Sequence, residues 1–206
     1  MARWEPNARE RLARAALDLF VEQGYDATTV QQIADRVGLT KMTFFRHFPD
    51  KREVLFAGQE THVRVLAEAI VAAPVGATPM EAIHTGLKRL AALFTDTNRA
   101  MGAQLHQVIA ANAELLERAA FKRAILVQAT TAALAERGVR EPTAGLAAEL
   151  GIGAFYRAFG QWAELTHQAT LAELTHQALD ELVAAAAGLV ADSRPADGSS
   201  AAPPTA

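Results

Sequence analysis

Apolar residues recur at every third or fourth position along almost the whole of this chain. No stretch alternates apolar and polar residues for long enough to form a strand, so this period predicts an all-α protein. Glycine, proline, asparagine and threonine positions divide the chain into about nine helical segments. We expect helices over residues 6–23, 28–37, 40–48, 50–73 and 79–95, two more between residues 97 and 138, and two over residues 143–164 and 171–189.

Several of these helices have a recognisable first turn. Thr170 with Glu173 has the spacing of a capping box, Asp50 with Glu53 has its acidic form, and Thr78 precedes a proline at the first helical position. Asn112 is expected to cap the helix that follows it. These signals place the starts of the helices more firmly than their ends.

Composition limits the kind of protein this is. Half of the 206 residues are apolar, which is enough for a substantial core. The absence of cysteine excludes disulfides and thiolate metal ligands. Neither a signal-peptide pattern nor an uncharged apolar run of about 18 residues occurs. We therefore expect a soluble, cytoplasmic protein that needs no cofactor and no metal.

The net charge of −3 by itself argues against a nucleic-acid partner, but the distribution of the charges matters more than their sum. Residues 1–64 hold ten basic and nine acidic side chains, so the basic excess is amino-terminal. Residues 40–52 contain four cations and one acid, with His47 as a further donor. This segment is a local basic patch on an otherwise acidic protein.

The patch coincides with two short helices joined by a glycine, within residues 28–51. The second of them places Phe44 and Phe48 four residues apart on one face and turns a different set to the opposite side: Met42, Thr43 and Arg46. A helix that is buried on one face and offers a cation and a hydroxyl on the other is suited to the major groove of DNA.

Residues 9–56 contain a series of spaced positions after the first helix: Gly24, Thr28-Thr29-Val30, Ile33-Ala34, Gly38-Leu39, Thr43-Phe44-Phe45, His47-Phe48 and Lys51. In this order and spacing the segment resembles the DNA-binding head of the tetracycline-repressor (TetR) family. The resemblance implies an Ω-shaped homodimer that regulates transcription, most often a repressor that binds a palindromic operator and is released by a small-molecule effector. It also implies a helix-turn-helix DNA-binding domain over residues 1–50 and an effector-binding and dimerisation domain over residues 51–190. Residues 191–206 have nothing to bury and are expected to be a disordered tail.

Carried over residue by residue, the resemblance places DNA contacts at ten positions: Thr29, Gln31, Thr40, Lys41, Met42, Thr43, Phe45, Arg46, His47 and Lys51. Lys51 and Arg52 would stand in the first turn of the fourth helix, where they oppose its dipole unless a phosphate docks there. Arg46 suits either guanine or phosphate. Phe45, where the family commonly has tyrosine, suits either a sugar or thymine methyl, or the core.

The last two helices carry apolar stripes that a monomer could not easily cover, so we predict a four-helix bundle in the homodimer. The predicted interface consists of Ile152, Phe155, Phe159, Trp162, Leu171, Leu174, Ala178 and Leu182. Packing within one chain is the alternative for any single member.

The family's effector pocket would draw on polar or aromatic residues of the middle helices. The candidates are His84, Phe94, Met101, His106, Gln128, Phe155 and Tyr156, each of which has core packing or surface exposure as its alternative. Lys88 is expected at the surface. The heptapeptide at 163–169, which recurs at 172–178, indicates a small tandem duplication, and its histidines at 167 and 176 are too far apart along one helix to bind a metal together.

Other functional classes have less support. The chain lacks Gly-x-Ser-x-Gly, His-Glu-x-x-His and phosphate-loop motifs, so we predict that it is not an enzyme. A helical interaction module that reads no DNA would present a neutral surface where this chain has a basic one. Activation instead of repression, and control by a protein instead of a small molecule, stay open.

Overall fold

The computed structural model describes residues 7–164 and 168–191, and within them the chain forms nine α-helices and one 3₁₀ segment, without a strand. The all-α prediction is confirmed. The predicted tail beyond Ala191, residues 1–6 and the histidine at 167 lie outside the described residues. The helices are α1 Ala8–Gln23, α2 Val30–Arg36, α3 Lys41–His47, α4 Gln59–Val71, α5 Pro79–Ala91, α6 Asp96–Ala110, α7 Ala113–Glu136, α8 Thr143–Ala163 and α9 Leu171–Ala191, and the 3₁₀ segment is Arg52–Phe56.

The predicted caps form. In the Thr170 cap of α9, the amide of Glu173 donates to the threonine hydroxyl at 3.2 Å and the glutamate side chain accepts from the amide of Thr170 at 2.9 Å. Thr78 caps α5 in the same way, with Pro79 at the first helical position. Asn112 accepts a hydrogen bond from the amide of Leu115. Each cap satisfies amides that the first turn leaves without a partner.

The prediction of one continuous helix over residues 50–73 is wrong. These residues form the short 3₁₀ segment and then α4, which begins only at Gln59. Asp50 does accept a hydrogen bond from the amide of Glu53, at 3.1 Å. The carboxylate of Glu53, however, turns away to Arg118 and Lys122 of α7 instead of closing the capping box. The predicted fifth helix is also too long, since α5 ends at Ala91.

The helices bury two separate hydrophobic clusters. We call the unit formed by α1 to α3 the head, and its core contains Leu12, Phe20, Ile33, Phe44 and Phe48. This head core also takes in buried residues that follow the head in the chain, Val54 of the 3₁₀ segment and Leu115 of α7.

The second cluster fills the body, which we define as α4 to α9. Its largest fully buried side chain is Trp162, and the cluster also contains leucine, isoleucine and alanine residues of α4, α5, α7, α8 and α9. Burial of each leucine or isoleucine contributes about 1.5–3 kcal/mol. None of the helices within the described ranges is both long enough and apolar enough to cross a bilayer.

Candidate functional site

Helix α3 has one buried face and one exposed face, as the sequence predicts. Phe44 and Phe48 are 0% and 1% exposed, and their rings pack 5.5 Å apart in the head core. On the other side Met42 is 69% exposed and Phe45 is 47% exposed, so Phe45 is not a core residue. Phe45 rests edge-on against Phe44, which fixes the direction in which its free face points.

Two cations flank these exposed apolar groups. Lys41 lies 6.0 Å from the centre of the Phe45 ring, and both Lys41 and Arg46 are exposed. Within residues 7–164 and 168–191, neither of them forms a salt bridge or a side-chain hydrogen bond. Their charges are therefore available to a partner. His47 is half-buried, and its carbonyl oxygen accepts a hydrogen bond from Arg9 at 3.4 Å.

The hydroxyl and amide groups expected to contact DNA are engaged within the head. Thr40 caps α3 by accepting a hydrogen bond from the amide of Thr43 at 3.1 Å, and the two hydroxyls lie 3.0 Å apart. Thr29 and Gln32 form the capping box of α2. Gln31 donates to Asp35 at 2.7 Å. These groups stay at the surface. Thr29 and Thr40 cap the starts of α2 and α3, and the side-chain amide of Gln31 is bound to Asp35.

The structure gives Lys51 a different role from the predicted one. Its ammonium group donates to the carbonyl oxygens of Tyr25 at 2.7 Å and Thr28 at 2.9 Å, and it lies 3.9 Å from the centre of the Tyr25 ring. Burial lowers the pKa of Lys51 below its usual value. The dipole argument was wrong, because Lys51 precedes and Arg52 begins a short 3₁₀ segment, so neither stands in the first turn of a long helix.

Arg52 is also occupied. It contacts Asp50 at 3.0 Å and Glu114 of α7 at 3.2 Å. The sequence shows four cations in this patch, but only two of them, those of α3, lack a partner in the described part of the chain.

The predicted dimer residues belong to the core of the single chain. Ile152, Trp162 and Leu171 are 0% exposed, and the rest of the set is buried or half-buried in the same cluster: Phe155, Phe159, Leu174, Ala178 and Leu182. The premise that a monomer could not cover both stripes is wrong, because α5, α6 and α7 pack against α8, and α5 packs against α9. A fully buried side chain has no surface left for a second copy.

The outer side of α8 carries a different stripe. It runs through Leu146, Leu150, Gly153, Arg157 and Gly160 at intervals of three or four residues, all exposed or half-buried. Leu146 is 64% exposed, and a Cβ atom added at Gly160 would meet nothing within 4 Å. Sequence periodicity could have identified this stripe, but the aromatic stripe beside it is far more apolar and attracted the prediction.

Four of the predicted ligand residues gather in or beside an aromatic cluster between α4, α6 and α8: Phe94, His106, Phe155 and Tyr156. The Phe94 ring is central, with its centroid 5.5 Å from that of Phe159 and 6.1 Å from that of Trp162. The sequence analysis missed His62 of α4, whose ring lies 5.2 Å from that of Phe94. Burial raises the pKa of Tyr156 and lowers that of His62.

Three other predicted ligand residues lie elsewhere. Gln128 is exposed on α7, and Met101 accepts a contact from Arg14 of α1 at 3.7 Å. His84 faces a separate groove of about 810 Å³ between α5 and α9, where its ring is 4.5 Å from that of His176. Burial first, and then the nearby His176, lowers the pKa of His84. Lys88 is exposed, as expected.

No part of the described chain brings three or more His, Asp or Glu side chains together in a way that could hold a metal ion. The arrangement instead offers an exposed face with two free cations in the head, and an aromatic cluster in the body. Neither feature contains an activated nucleophile.

Comparison with known proteins separates the head from the body. Residues 12–57 match the model described as "Bacterial regulatory proteins, tetR family". This segment contains α2, α3 and most of α1, together with the whole 3₁₀ segment.

Curated relatives match over about a third of the chain. The HTH-type transcriptional regulator TcmR of Streptomyces glaucescens is 44% identical over 79 residues, which are 36% of this chain and 33% of the relative. The HTH-type transcriptional activator FasR of Mycolicibacterium smegmatis is 37% identical over 62 residues, which are 30% of this chain and 28% of that protein. The aligned part thus spans a third or less of the length of each of these two relatives.

Solved structures are similar over most of the chain. A TetR-family regulator from Syntrophomonas wolfei has a TM-score of 0.61 at 19% identity, covering 88% of this chain and 95% of the other. The transcriptional regulator FadR from Bacillus subtilis, in complex with stearoyl-CoA, has a TM-score of 0.58 at 22% identity, covering 84% and 97%. At such identities the likeness shows that the fold is shared.

Proposed function

We propose that this chain, a member of the TetR family of bacterial regulatory proteins, is a transcriptional repressor that binds a palindromic operator as a homodimer and is released by a small molecule. The observation that carries the proposal is the exposed face of α3, with its unpaired Lys41 and Arg46. The proposed division of labour keeps DNA binding in residues 1–50 and ligand binding and dimerisation in residues 51–190.

The α3 face suits the major groove for three reasons. A single helix fits the width of that groove, and Phe44 and Phe48 hold α3 rigidly against the head. The two free cations can contact phosphate or guanine. Met42 and Phe45, exposed between them, can contact thymine methyl groups or sugars. In this proposal Thr29, Gln31, Thr40, Thr43 and His47 border the contact, and Lys51 supports it from inside the head.

A palindromic operator requires two heads related by a two-fold axis. We propose that the α8 stripe from Leu146 to Gly160 packs against the same stripe of a second copy. The glycines permit close approach, and Leu146 supplies an exposed apolar side chain that a partner would bury. Arg157, which lies within this surface, pairs with Glu181 of α9 at 3.3 Å.

Release of the head from DNA by a ligand requires contacts that couple the body to the head, and two sets of contacts support this part of the proposal. Glu53, beside the head, pairs with Arg118 and Lys122 of α7, and the side chain of Gln59 at the start of α4 donates to the carbonyl oxygen of Lys122 at 3.0 Å. A ligand that changes the spacing of α4, α7 and α8 would therefore displace the head. The complex of Bacillus subtilis FadR with stearoyl-CoA gives support, since a protein of this fold has been solved with a ligand.

The test is a footprinting experiment on DNA that flanks the protein's own gene, combined with sedimentation and a reporter assay. We expect protection of two half-sites related by a palindrome, a dimer in solution, and lower reporter output when the protein is present. Raised reporter output would replace repression by activation. Protection of no fragment, or a protein that stays monomeric on bound DNA, would contradict the proposal.

A further inference from the structure

Trp162 has a buried indole N–H without a hydrogen-bond acceptor. The residue is 0% exposed, and within residues 7–164 and 168–191 its Nε1 is the fully buried side-chain nitrogen or oxygen that lacks a partner. Buried polar groups are nearly always paired, because leaving a donor unpaired costs free energy. An exception of this kind calls for an explanation, and a ligand that supplies the missing acceptor is one.

The indole cannot easily turn to find an acceptor of its own. Its six-membered ring packs against Gly102 of α6 so closely that a Cβ atom there would lie 2.7 Å from Cζ3 of Trp162. The rings of Phe94 and Phe159 pack against it at centroid distances of 6.1 and 5.6 Å. The N–H is therefore held in one direction by its neighbours, as a preorganised binding group would be.

The side chains whose rings pack against the indole are aromatic and uncharged. Phe155 and Phe159 stack at 6.4 Å with an interplanar angle of 29°, and Phe94 packs across both. His62 closes the α4 side, and its imidazole has no hydrogen-bond partner in the described ranges. Burial lowers the pKa of His62 and so favours its neutral imidazole, which donates one hydrogen bond and accepts one.

Arg99 bears on the charge of a ligand. Its guanidinium donates to the carbonyl oxygens of Trp162 at 2.8 Å and Glu164 at 3.3 Å, and it lies 5.8 Å from the centre of the indole. Aromatic clusters often attract cations, but here a fixed positive charge already occupies a face of the tryptophan. A cationic ligand would be repelled.

We propose that the aromatic cluster of Phe94, Phe155, Phe159 and Trp162 binds a planar, uncharged, aromatic molecule whose carbonyl or ether oxygen accepts a hydrogen bond from Nε1 of Trp162. This inference rests on the proposed function, because it names the chemical class of the effector. The stacked rings match a flat apolar body, and the single buried donor selects for an acceptor at one edge of it.

The experiment compares probes that differ only in this acceptor. The probes are 2-acetylnaphthalene and 2-isopropenylnaphthalene, which have the same shape except that a C=CH₂ group replaces the C=O group, and the cation formed by 2-(aminomethyl)naphthalene. Equilibrium dialysis with the full chain measures each affinity. We expect the ketone to bind about tenfold more tightly than the alkene, the equivalent of one hydrogen bond, and the cation to bind most weakly.

Trp162→Phe removes the donor and keeps an aromatic ring, so the ratio between ketone and alkene should fall to about one. The unmodified chain already tests the proposal through the same ratio, so a poorly folded variant would not decide it. A Trp4→Phe chain, in which Trp162 is the remaining tryptophan, adds a direct signal: the ketone should change its fluorescence. Equal affinities for ketone and alkene, no binding of either, or tightest binding of the cation would overturn the proposal.

DNA binding measured on the same preparation separates the two levels of inference. Retained DNA binding without discrimination between ketone and alkene would overturn the ligand class and leave the proposed regulator intact. Discrimination between the probes without DNA binding would uphold the aromatic site and overturn the regulator.

Discussion

The ammonium group of Lys51 donates a hydrogen bond to the carbonyl oxygen of Tyr25 at 2.7 Å and lies over the ring of the same residue at 3.9 Å. The contact joins the start of the 3₁₀ segment to the turn between α1 and α2. Burial, and then the carboxylate of Glu114, raises the pKa of Tyr25 to about 12, so the phenol stays neutral beneath the lysine. Lys51 is therefore part of the structure that supports the recognition helix.

We predict that Lys51→Met destabilises the protein by about 1–2 kcal/mol, because two carbonyl groups lose their charged donor. Urea unfolding monitored by circular dichroism measures this. Lys41→Met, at an exposed lysine without such partners, is the matched control and should leave the unfolding midpoint unchanged. If Lys51→Met weakened DNA binding without lowering stability, the result would support the phosphate contact predicted for Lys51 from the sequence.

Arg46→Ala should weaken operator binding by about 1–3 kcal/mol, since this guanidinium stands on the exposed face of α3 and pairs with no side chain of the described ranges. Gel-shift titration gives the affinity, and sedimentation should show an unchanged oligomer. Arg89→Ala, at an exposed arginine of α5 in the body, provides the control. Equal affinities of the two variants would remove Arg46 from the interface.

The salt dependence of binding should reflect two free cations per head. If Lys41 and Arg46 of both copies contact phosphate, a plot of log K against log salt should have a slope of about −3 to −4. Arg46→Ala should make the slope shallower if Arg46 contacts phosphate, and should change sequence preference if it contacts guanine. A flat plot for the unmodified protein would contradict binding to the DNA backbone.

Glu53 should make the link between head and body sensitive to acid. Burial alone would raise the pKa of this carboxyl, but hydrogen bonds from Arg118 and Lys122 outweigh burial and hold the pKa below its usual value. A carboxyl of this kind stabilises the fold above its ordinary pKa of about 4.3, and the stabilisation is lost as pH falls through the lower folded value.

Accordingly, Glu53→Gln should cost roughly 2–4 kcal/mol at pH 7, because Lys122 is left buried without its partner. The difference from the unmodified protein should begin to shrink as pH falls below the ordinary carboxyl pKa of about 4.3, and should disappear only below the lower pKa that Glu53 has in the folded protein. Urea unfolding at several pH values measures both effects. Glu68→Gln, which breaks the exposed pair with Arg64, should cost less than about 1 kcal/mol. A pH-independent loss at position 53 would show that packing, and not charge, is responsible.

Gly160→Arg tests the proposed dimer surface. A side chain there has open space in the single chain, so the monomer should fold as before, with helix propensity improved by up to about 1 kcal/mol. The guanidinium would separate two facing copies of α8, and sedimentation should detect monomers. Thr61→Arg on the exposed side of α4 should leave the dimer intact. A Gly160→Arg protein that remains dimeric would place the interface elsewhere.

Local signals allowed much of the fold to be predicted from the sequence. The caps at Thr78, Asn112 and Thr170 mark helix starts because they depend on residues three positions apart. The division of α3 into a buried and an exposed face follows equally from its period. Both kinds of signal are contained in one turn or two of helix, so a single sequence displays them.

The errors concern contacts between distant segments. The sequence does not show that Glu53 prefers Arg118 and Lys122 of α7 to its own capping box, nor that Lys51 turns back to Tyr25. The apolar stripes of α8 and α9 were wrongly predicted to form a dimer interface, because periodicity identifies a buried face without identifying what covers it. His62 was missed for the same reason, since only the fold brings it to Phe94.

Leu115 makes the head dependent on a residue that lies nearly seventy positions after the end of α3. A fragment that stops where the family match stops would leave a hole among Phe20, Phe44 and their neighbours. A fusion of the head to the ligand-binding domain of another protein would therefore have to include α7, or at least an equivalent leucine. Leu115 thus limits how freely the heads and bodies of related proteins can be exchanged.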